Sequence, residues 1–179
     1  MHNVIMCHVA NGNMGHAVIM PEELRGIRSR EAEESGRLIG ASEVIGLDIP
    51  DLMVDSNNAD MIKKLVDVIR YSKPDMIITH SPEDYMKDHL EVNKAVFDAS
   101  FSSSIPHYFS AHQAYSGIVP IYFMDTLAGI NFLPAEFVDI SETIELKIKA
   151  VDCHQSQVKW MKDHDNIDFL DFVRTVSKF

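Results

Sequence analysis

The chain is poor in cysteine, with only Cys7 and Cys153 among its 179 residues. Two cysteines this far apart cannot provide a closed structural zinc site, and they favour free thiols over a disulfide. Both lie in apolar stretches, so we interpret them as buried free thiols. Free thiols are typical of a reducing compartment, and we therefore expect a cytoplasmic protein.

The sequence also lacks an excess of basic residues. Lysine and arginine number 16 against 27 acidic residues, the net charge is −11, and no basic cluster stands out. This balance argues against nucleic acid or an anionic membrane surface as a partner. No apolar run approaches the ~18 residues of a membrane span, and the N-terminus has no basic signal-peptide region.

Two familiar motifs are missing. The chain contains no G-x-S-x-G, and Ser81 precedes a proline in a polar loop, so a serine-nucleophile hydrolase is disfavoured. The glycines at 12 and 15 do not form G-x-G-x-x-G, which argues against a dinucleotide loop. His8 lies inside an apolar strand pattern and is interpreted as a satisfied core histidine.

Apolar residues make up 46% of the chain, and their spacing alternates between strand and helix periods along its length. This alternation predicts one α/β domain, residues 1–179, with a Rossmann-like, mainly parallel sheet and helices on both faces. Predicted strands cover 4–10, 43–47, 76–79, 118–124 and 136–140. Predicted helices begin at Pro21, after Asn57 or Asn58, at Asp88 and after Ser141. A last helix is predicted over residues 163–178.

The most informative stretch follows the strand at 76–79. That strand stops at His80, a polar loop contains Glu83 and Asp84, and Asp88-His89 opens the next helical pattern. Ligands of open parallel sheets bind at the carboxyl ends of strands. The residues fit a catalytic metal site with an open position for water. They also fit a structural role, in which Asp88 and His89 only cap the helix.

Several segments resemble the PIG-L/LmbE-like zinc-dependent de-N-acetylases. The string from Thr79 to His89 resembles the family's second motif, which usually ends His-Pro-Asp-His. The other matching segments are Asn11-Gly12 with Gly15, Arg28-x-x-Glu31-Ala32 with Gly40, Val138 to Glu145, and His154-Gln155-Ser156-Gln157. They occur in the family's order, which makes the resemblance specific.

The resemblance implies the family's fold and a zinc-dependent hydrolase that removes an N-acetyl group from an amino-sugar conjugate. It implies that His89 is a Zn²⁺ ligand and that Asp88 supports the site. It also implies that Arg28 binds substrate, together with His80 and the Asn11 loop. His154 would lie near the acetyl pocket. A small N-acetylated sugar is the expected partner, and relatives are often homo-oligomers. The resemblance does not identify the sugar.

Two departures from the family's pattern stand out. The His-Pro-Asp-Asp motif, which provides the other zinc ligands and the general base, has no counterpart in this sequence. We therefore expect an N-terminally truncated domain that lacks the family's first strand and helix and is inactive as it stands. Met86 replaces the histidine that stabilises the oxyanion, and a thioether cannot donate a hydrogen bond. Tyr85, His80 or His154 would have to replace it. The alternative is a non-catalytic sugar-binding or scaffold protein on the same fold.

Overall fold

The structure is a computed structural model that describes residues 2–178. Strands and helices alternate along most of the chain, and both pairs of strands are parallel, as the sequence predicts. The strands are β1 (Ile5–Ala10), β2 (Glu43–Ile49), β3 (Ile77–Thr79) and β4 (Ile121–Phe123). The helices are α1 (Pro21–Ile39), α2 (Ala59–Ser72), α3 (Lys87–Ser103), α4 (Ile144–Asp152), α5 (Gln155–Asp165) and α6 (Phe169–Val176). None of the described helices is long and apolar enough to cross a membrane.

The described residues form two compact units. Unit 1 consists of residues 2–51 and 136–178 and contains the β1–β2 pair, α1 and α4 to α6. Its strands pair from Ile5 opposite Glu43 onward, with an irregularity between His8 and Ala10. Leu24 of α1 is fully buried, and Gly36 lets the same helix approach β2, because a Cβ there would overlap the Val44 side chain.

The ends of α1 follow from its sequence. Pro21 occupies the first turn, where its missing N–H costs nothing. Glu22 and Glu23 lie near the positive end of the helix dipole and stabilise it. Gly40 closes the helix in the left-handed conformation, with φ of 79°, and its N–H bonds back to Arg37 and Gly36. The predicted helix beginning at Pro21 and ending before Gly40 is confirmed.

Unit 2, residues 52–135, contains the β3–β4 pair and the packed helices α2 and α3. Asn58 caps α2, since its side-chain oxygen accepts from the N–H groups of Asp60 and Met61 at 3.0 and 3.1 Å. The helices bury apolar faces, which contribute most of the core of this unit. These faces consist of Met61, Leu65, Val66 and Ile69 on α2 and Val92, Ala95, Val96 and Ala99 on α3.

Unit 2 also contains a buried cation that the sequence pattern does not reveal. Arg70 of α2 is only 3% exposed. Its guanidinium donates to the carbonyls of Ser102, Ser103, Ile105 and His112 and to the Ser110 hydroxyl, at 2.8–3.4 Å. Two of these carbonyls lie in the last turn of α3, the negative end of its dipole. Arg70 therefore fixes the irregular segment after α3 without a carboxylate partner among the described residues.

Three expectations from the sequence are wrong. Residues 136–140 form no strand, and the last predicted helix, 163–178, is divided between α5 and α6. The division has a local cause, because Asn166 ends α5 with φ of 54° and Asp168 caps α6 by accepting from Asp171 N–H. Cys7 is solvent-exposed rather than buried, because it projects from the β1 face opposite His8.

Candidate functional site

The loop that follows β3 turns sharply because Ser81 organises it. The Ser81 hydroxyl accepts from Glu83 N–H at 3.1 Å, and its carbonyl accepts from Asp84 N–H at 3.3 Å. His80 is anchored through its backbone, whose carbonyl accepts from the buried Asn93 side chain of α3 at 2.7 Å. These contacts hold His80 and Asp84 beside the first turn of α3, where His89 lies.

Asp84 is the buried carboxylate of this loop, with a side chain only 2% exposed. One of its oxygens accepts from Met86 N–H at 2.9 Å, and the other lies 2.9 Å from His89 Nδ1. Burial is the largest single influence on the pKa of Asp84 and raises it. The bonds from Met86 and His89 together outweigh burial and lower the pKa, so the group is an anion at neutral pH.

His80 and His89 lie face to face. Their ring centroids are 3.9 Å apart and their planes are inclined by 10°. Burial, followed by the neighbouring His89, lowers the pKa of His80 to about 4, against the attraction of Asp84. His80 is therefore a neutral imidazole at physiological pH.

The three side chains His80, Asp84 and His89 form one group in which one potential ligand atom from each residue lies within 4.8 Å of the other two. Imidazole nitrogen and carboxylate oxygen are common ligands of zinc and related divalent metals. Asp84 holds His89 as an orienting carboxylate holds a metal-bound histidine, leaving Nε2 as the free donor. The donor chemistry fits a divalent metal at His89.

The other predicted residues of this segment have different surroundings. Asp88 accepts from Leu52 N–H at 2.7 Å through one oxygen, while its other oxygen is buried without a hydrogen-bond partner. Asp84, rather than Asp88, is bonded to His89. Tyr85 and Met86 are exposed by 46% and 43%. The predicted roles of Asp88 and Tyr85 stay predictions.

The start of α3 also holds the loop before α2. Lys87 donates to the Leu52 carbonyl at 3.1 Å, and Glu91 accepts from both the N–H and the hydroxyl of Ser56. Hydrogen bonds from Lys94 and then Ser56 lower the pKa of Glu91 to about 2. Asp88 belongs to this set of contacts through its bond from Leu52 N–H, so it helps to fix the loop.

Unit 1 contains a second candidate region, a cavity of about 540 Å³ between the inner face of α1 and the β1–β2 sheet. Its lining includes Asn11, Arg28 and His154, the three residues of unit 1 that the family resemblance assigns to substrate, together with His8. The volume lies within the range of small-molecule sites. The fold thus brings together residues that are up to 146 positions apart, His8 and His154.

Arg28 is the central side chain of this cavity. Its Nη2 donates to the Gly15 carbonyl at 2.9 Å and to Gln157 Oε1 at 2.6 Å, while its Nε is buried without a partner. Gly12, with φ of 73°, makes room for it, because a Cβ there would lie 2.5 Å from Arg28 Cδ. Burial lowers the pKa of Arg28, opposed by the charges of Asp51 and Glu31.

His8 is a residue that sequence reasoning missed. Its Nε2 is buried without a hydrogen-bond partner, so the interpretation as a satisfied core histidine is wrong. Burial, followed by the charge of His154, lowers the pKa of His8, and burial likewise lowers that of His154. A polar residue in an apolar strand was the available signal, but the sequence could not show which face of β1 meets the cavity.

Comparison with known proteins gives a consistent set of relatives. The family described as PIG-L, GlcNAc-PI de-N-acetylase, matches residues 1–100. A diacetylchitobiose deacetylase from Thermococcus kodakarensis is 26% identical over 164 residues, covering 87% of this chain and 59% of that protein. The chain therefore spans about six-tenths of the length of this curated relative.

Solved structures agree on the fold. An N,N'-diacetylchitobiose deacetylase from Pyrococcus horikoshii, 25% identical, aligns with a TM-score of 0.76 over 94% of this chain and 64% of that one. GalB, the 4-carboxy-2-hydroxymuconate hydratase of Pseudomonas putida KT2440, is 20% identical. It aligns with a TM-score of 0.81 over 97% of this chain and 72% of that one. The second match bears on the fold alone, since one fold can host different reactions.

Proposed function

The chain belongs to the PIG-L family, GlcNAc-PI de-N-acetylase, and from this premise we propose that it is a zinc-dependent hydrolase of N-acetylated amino-sugar conjugates. One observation carries the proposal. His89 has its Nδ1 bonded to the buried Asp84 carboxylate, which leaves Nε2 as the donor for a metal. The named activity of the relatives, diacetylchitobiose deacetylation, supports the choice of an acetylated amino sugar.

His89 would hold the metal. Asp84 would keep the His89 ring oriented and in the correct tautomer. When bound, zinc supplies a Lewis acid for the amide carbonyl and lowers the pKa of water. Asp88 has a buried oxygen without a partner that is available as a proton acceptor. The supporting role of Asp88, and that of Tyr85 as a donor to the oxyanion, are parts of the proposal.

Substrate recognition is proposed for the cavity of unit 1. A sugar presents many hydroxyl groups that both donate and accept hydrogen bonds, and the cavity offers both kinds of partner. Arg28 Nε is an unsatisfied donor there, and His8 Nε2 is an unpaired nitrogen. Neutral His154 adds an imidazole that can donate one N–H to a carbonyl or hydroxyl. Asn11 donates to Asp48 of β2 and accepts from Asn13 N–H in its own loop, so it would act by shaping that loop.

We propose the cytoplasm as the setting, since Cys7 and Cys153 are free thiols. A homo-oligomer stays a prediction. The experiment combines metal analysis with an acetate-release assay on N,N'-diacetylchitobiose. The purified chain should bind one zinc per molecule, and His89→Ala should weaken zinc binding by about 100-fold or more. The acetate assay tests the prediction that the chain is inactive as it stands. His107→Ala, at an exposed histidine, is the matched control.

The second candidate is a non-catalytic sugar-binding protein on the same fold. It is favoured by the exposed thioether of Met86, which cannot donate a hydrogen bond to a developing oxyanion. Here calorimetry would detect diacetylchitobiose binding that depends on Arg28, with no acetate released and no need for zinc. A chain that purifies without zinc and is unaffected by His89→Ala would contradict the hydrolase.

A further inference from the structure

The stacked pair of histidines limits what His80 can do for a metal at His89. An imidazole binds zinc through a lone pair in its own plane, at about 2.0–2.1 Å from the nitrogen. The planes of His80 and His89 are inclined by only 10°, with centroids 3.9 Å apart. Nearly parallel planes at this separation do not meet within a bond length of either ring. Both rings therefore cannot bind one ion in the arrangement they adopt.

The contacts of His89 show what the stack adds. The hydrogen bond to Asp84 fixes the direction of Nδ1 but allows the ring to turn about the line between the two atoms. A flat ring against the face of His89 opposes that turn. His80 is itself held in place, because β3 ends one residue before it and Asn93 binds its carbonyl.

We propose that His80 is a positioning residue that fixes the ring plane of His89 by stacking, and is not a third metal ligand. Asp84 sets which nitrogen of His89 faces the metal, and His80 sets the plane in which that nitrogen points. The inference rests on the proposed function in one respect, that His89 is the metal ligand. It replaces the substrate-binding role predicted for His80.

Substitution by phenylalanine separates stacking from coordination, since phenylalanine retains a flat ring and has no donor atom. Zinc affinity is measured by calorimetry for the full chain and for His80→Phe, His80→Ala and the control His112→Ala. His112 makes a longer, tilted ring contact with Tyr71 in the same unit, with centroids 5.5 Å apart and planes inclined by 40°. We expect His80→Phe and the control to stay within about threefold of the original chain, and His80→Ala to lose about tenfold.

Equal losses in His80→Phe and His80→Ala would make His80 a ligand and overturn the proposal. Unchanged affinity in His80→Ala would overturn it as well. A chain that binds no zinc at all would contradict the proposed function, and a measurement without metal then decides the positioning role.

That measurement is the NMR spectrum of the His89 imidazole in metal-free protein. A stacked ring shifts the carbon-bound protons of His89 upfield, and the Asp84 bond keeps the proton on Nδ1. The shift should be present in the original chain, retained in His80→Phe and lost in His80→Ala. Absence of the shift from the original chain, which requires no variant to fold, would overturn the proposal.

Discussion

Arg28 in unit 1 and Arg70 in unit 2 are two arginines without an ion pair among residues 2–178, yet their hydrogen bonding differs. Arg70 is almost fully buried and each of its side-chain nitrogens donates to an oxygen. Arg28 is half-buried, uses Nη2 for two acceptors and leaves Nε unsatisfied beside a cavity. An unsatisfied buried donor costs free energy that a ligand can recover. The difference separates an arginine whose side-chain nitrogens are all satisfied from one with an unsatisfied donor at a cavity.

Arg70→Ala should produce the largest effect. It leaves several carbonyls after α3 without their donor, and we expect it to lower the free energy of unfolding by about 3 kcal/mol. Urea unfolding followed by circular dichroism measures the change. Arg30→Ala, at an exposed arginine, should stay within about 0.5 kcal/mol. A loss below about 1 kcal/mol for Arg70→Ala would show that water satisfies these carbonyls equally well.

Arg28→Ala should change binding more than stability. Removing the side chain breaks two hydrogen bonds but also removes the unfavourable burial of the unsatisfied Nε. Because these effects oppose each other, we expect the free energy of unfolding to change by less than about 1 kcal/mol. Affinity for diacetylchitobiose should fall about tenfold or more, measured by calorimetry. Arg25→Ala is the matched control, because Arg25 lines the same cavity but is committed to Asp48 and Glu22. Equal affinity in Arg28→Ala would contradict the proposed site.

His8→Phe should have the smallest effect, most visible in the pH dependence of stability. Burial lowers the pKa of folded His8 below the ~6.5 of an unfolded histidine, so as the pH falls the unfolded chain takes up the proton first. This contribution to stability is complete above about pH 6.5 and is lost as the pH falls toward the lowered value. The variant should lose less stability between pH 7 and pH 5 than the original chain does. An unchanged pH profile would show that His8 is not the titrating group.

The local parts of the fold could be predicted because their causes are adjacent in sequence. Pro21 and Gly40 bound α1, Asn58 caps α2, and the apolar burst before His80 forms β3. The Asn166 and Asp168 signals that divide α5 from α6 were also present, but the continuous apolar spacing across them concealed the break. Residues 136–140 have the composition of a strand, but they pair with none of the strands among the described residues.

The sequence by itself determined the family, the parallel α/β class and the segment in which two histidines and a buried acid meet, because these depend on residue order and periodicity. Only the tertiary structure decided that Asp84 rather than Asp88 binds His89, that His80 lies flat against it, and that His8 and Arg28 have unpaired atoms at a cavity. Hydrogen bonds and ring contacts depend on the positions of side-chain atoms to within about an ångström. Spacing along the chain does not set those positions. The sequence pointed to Asp88 as the supporting acid, whereas the turn at Ser81 brings Asp84 to His89.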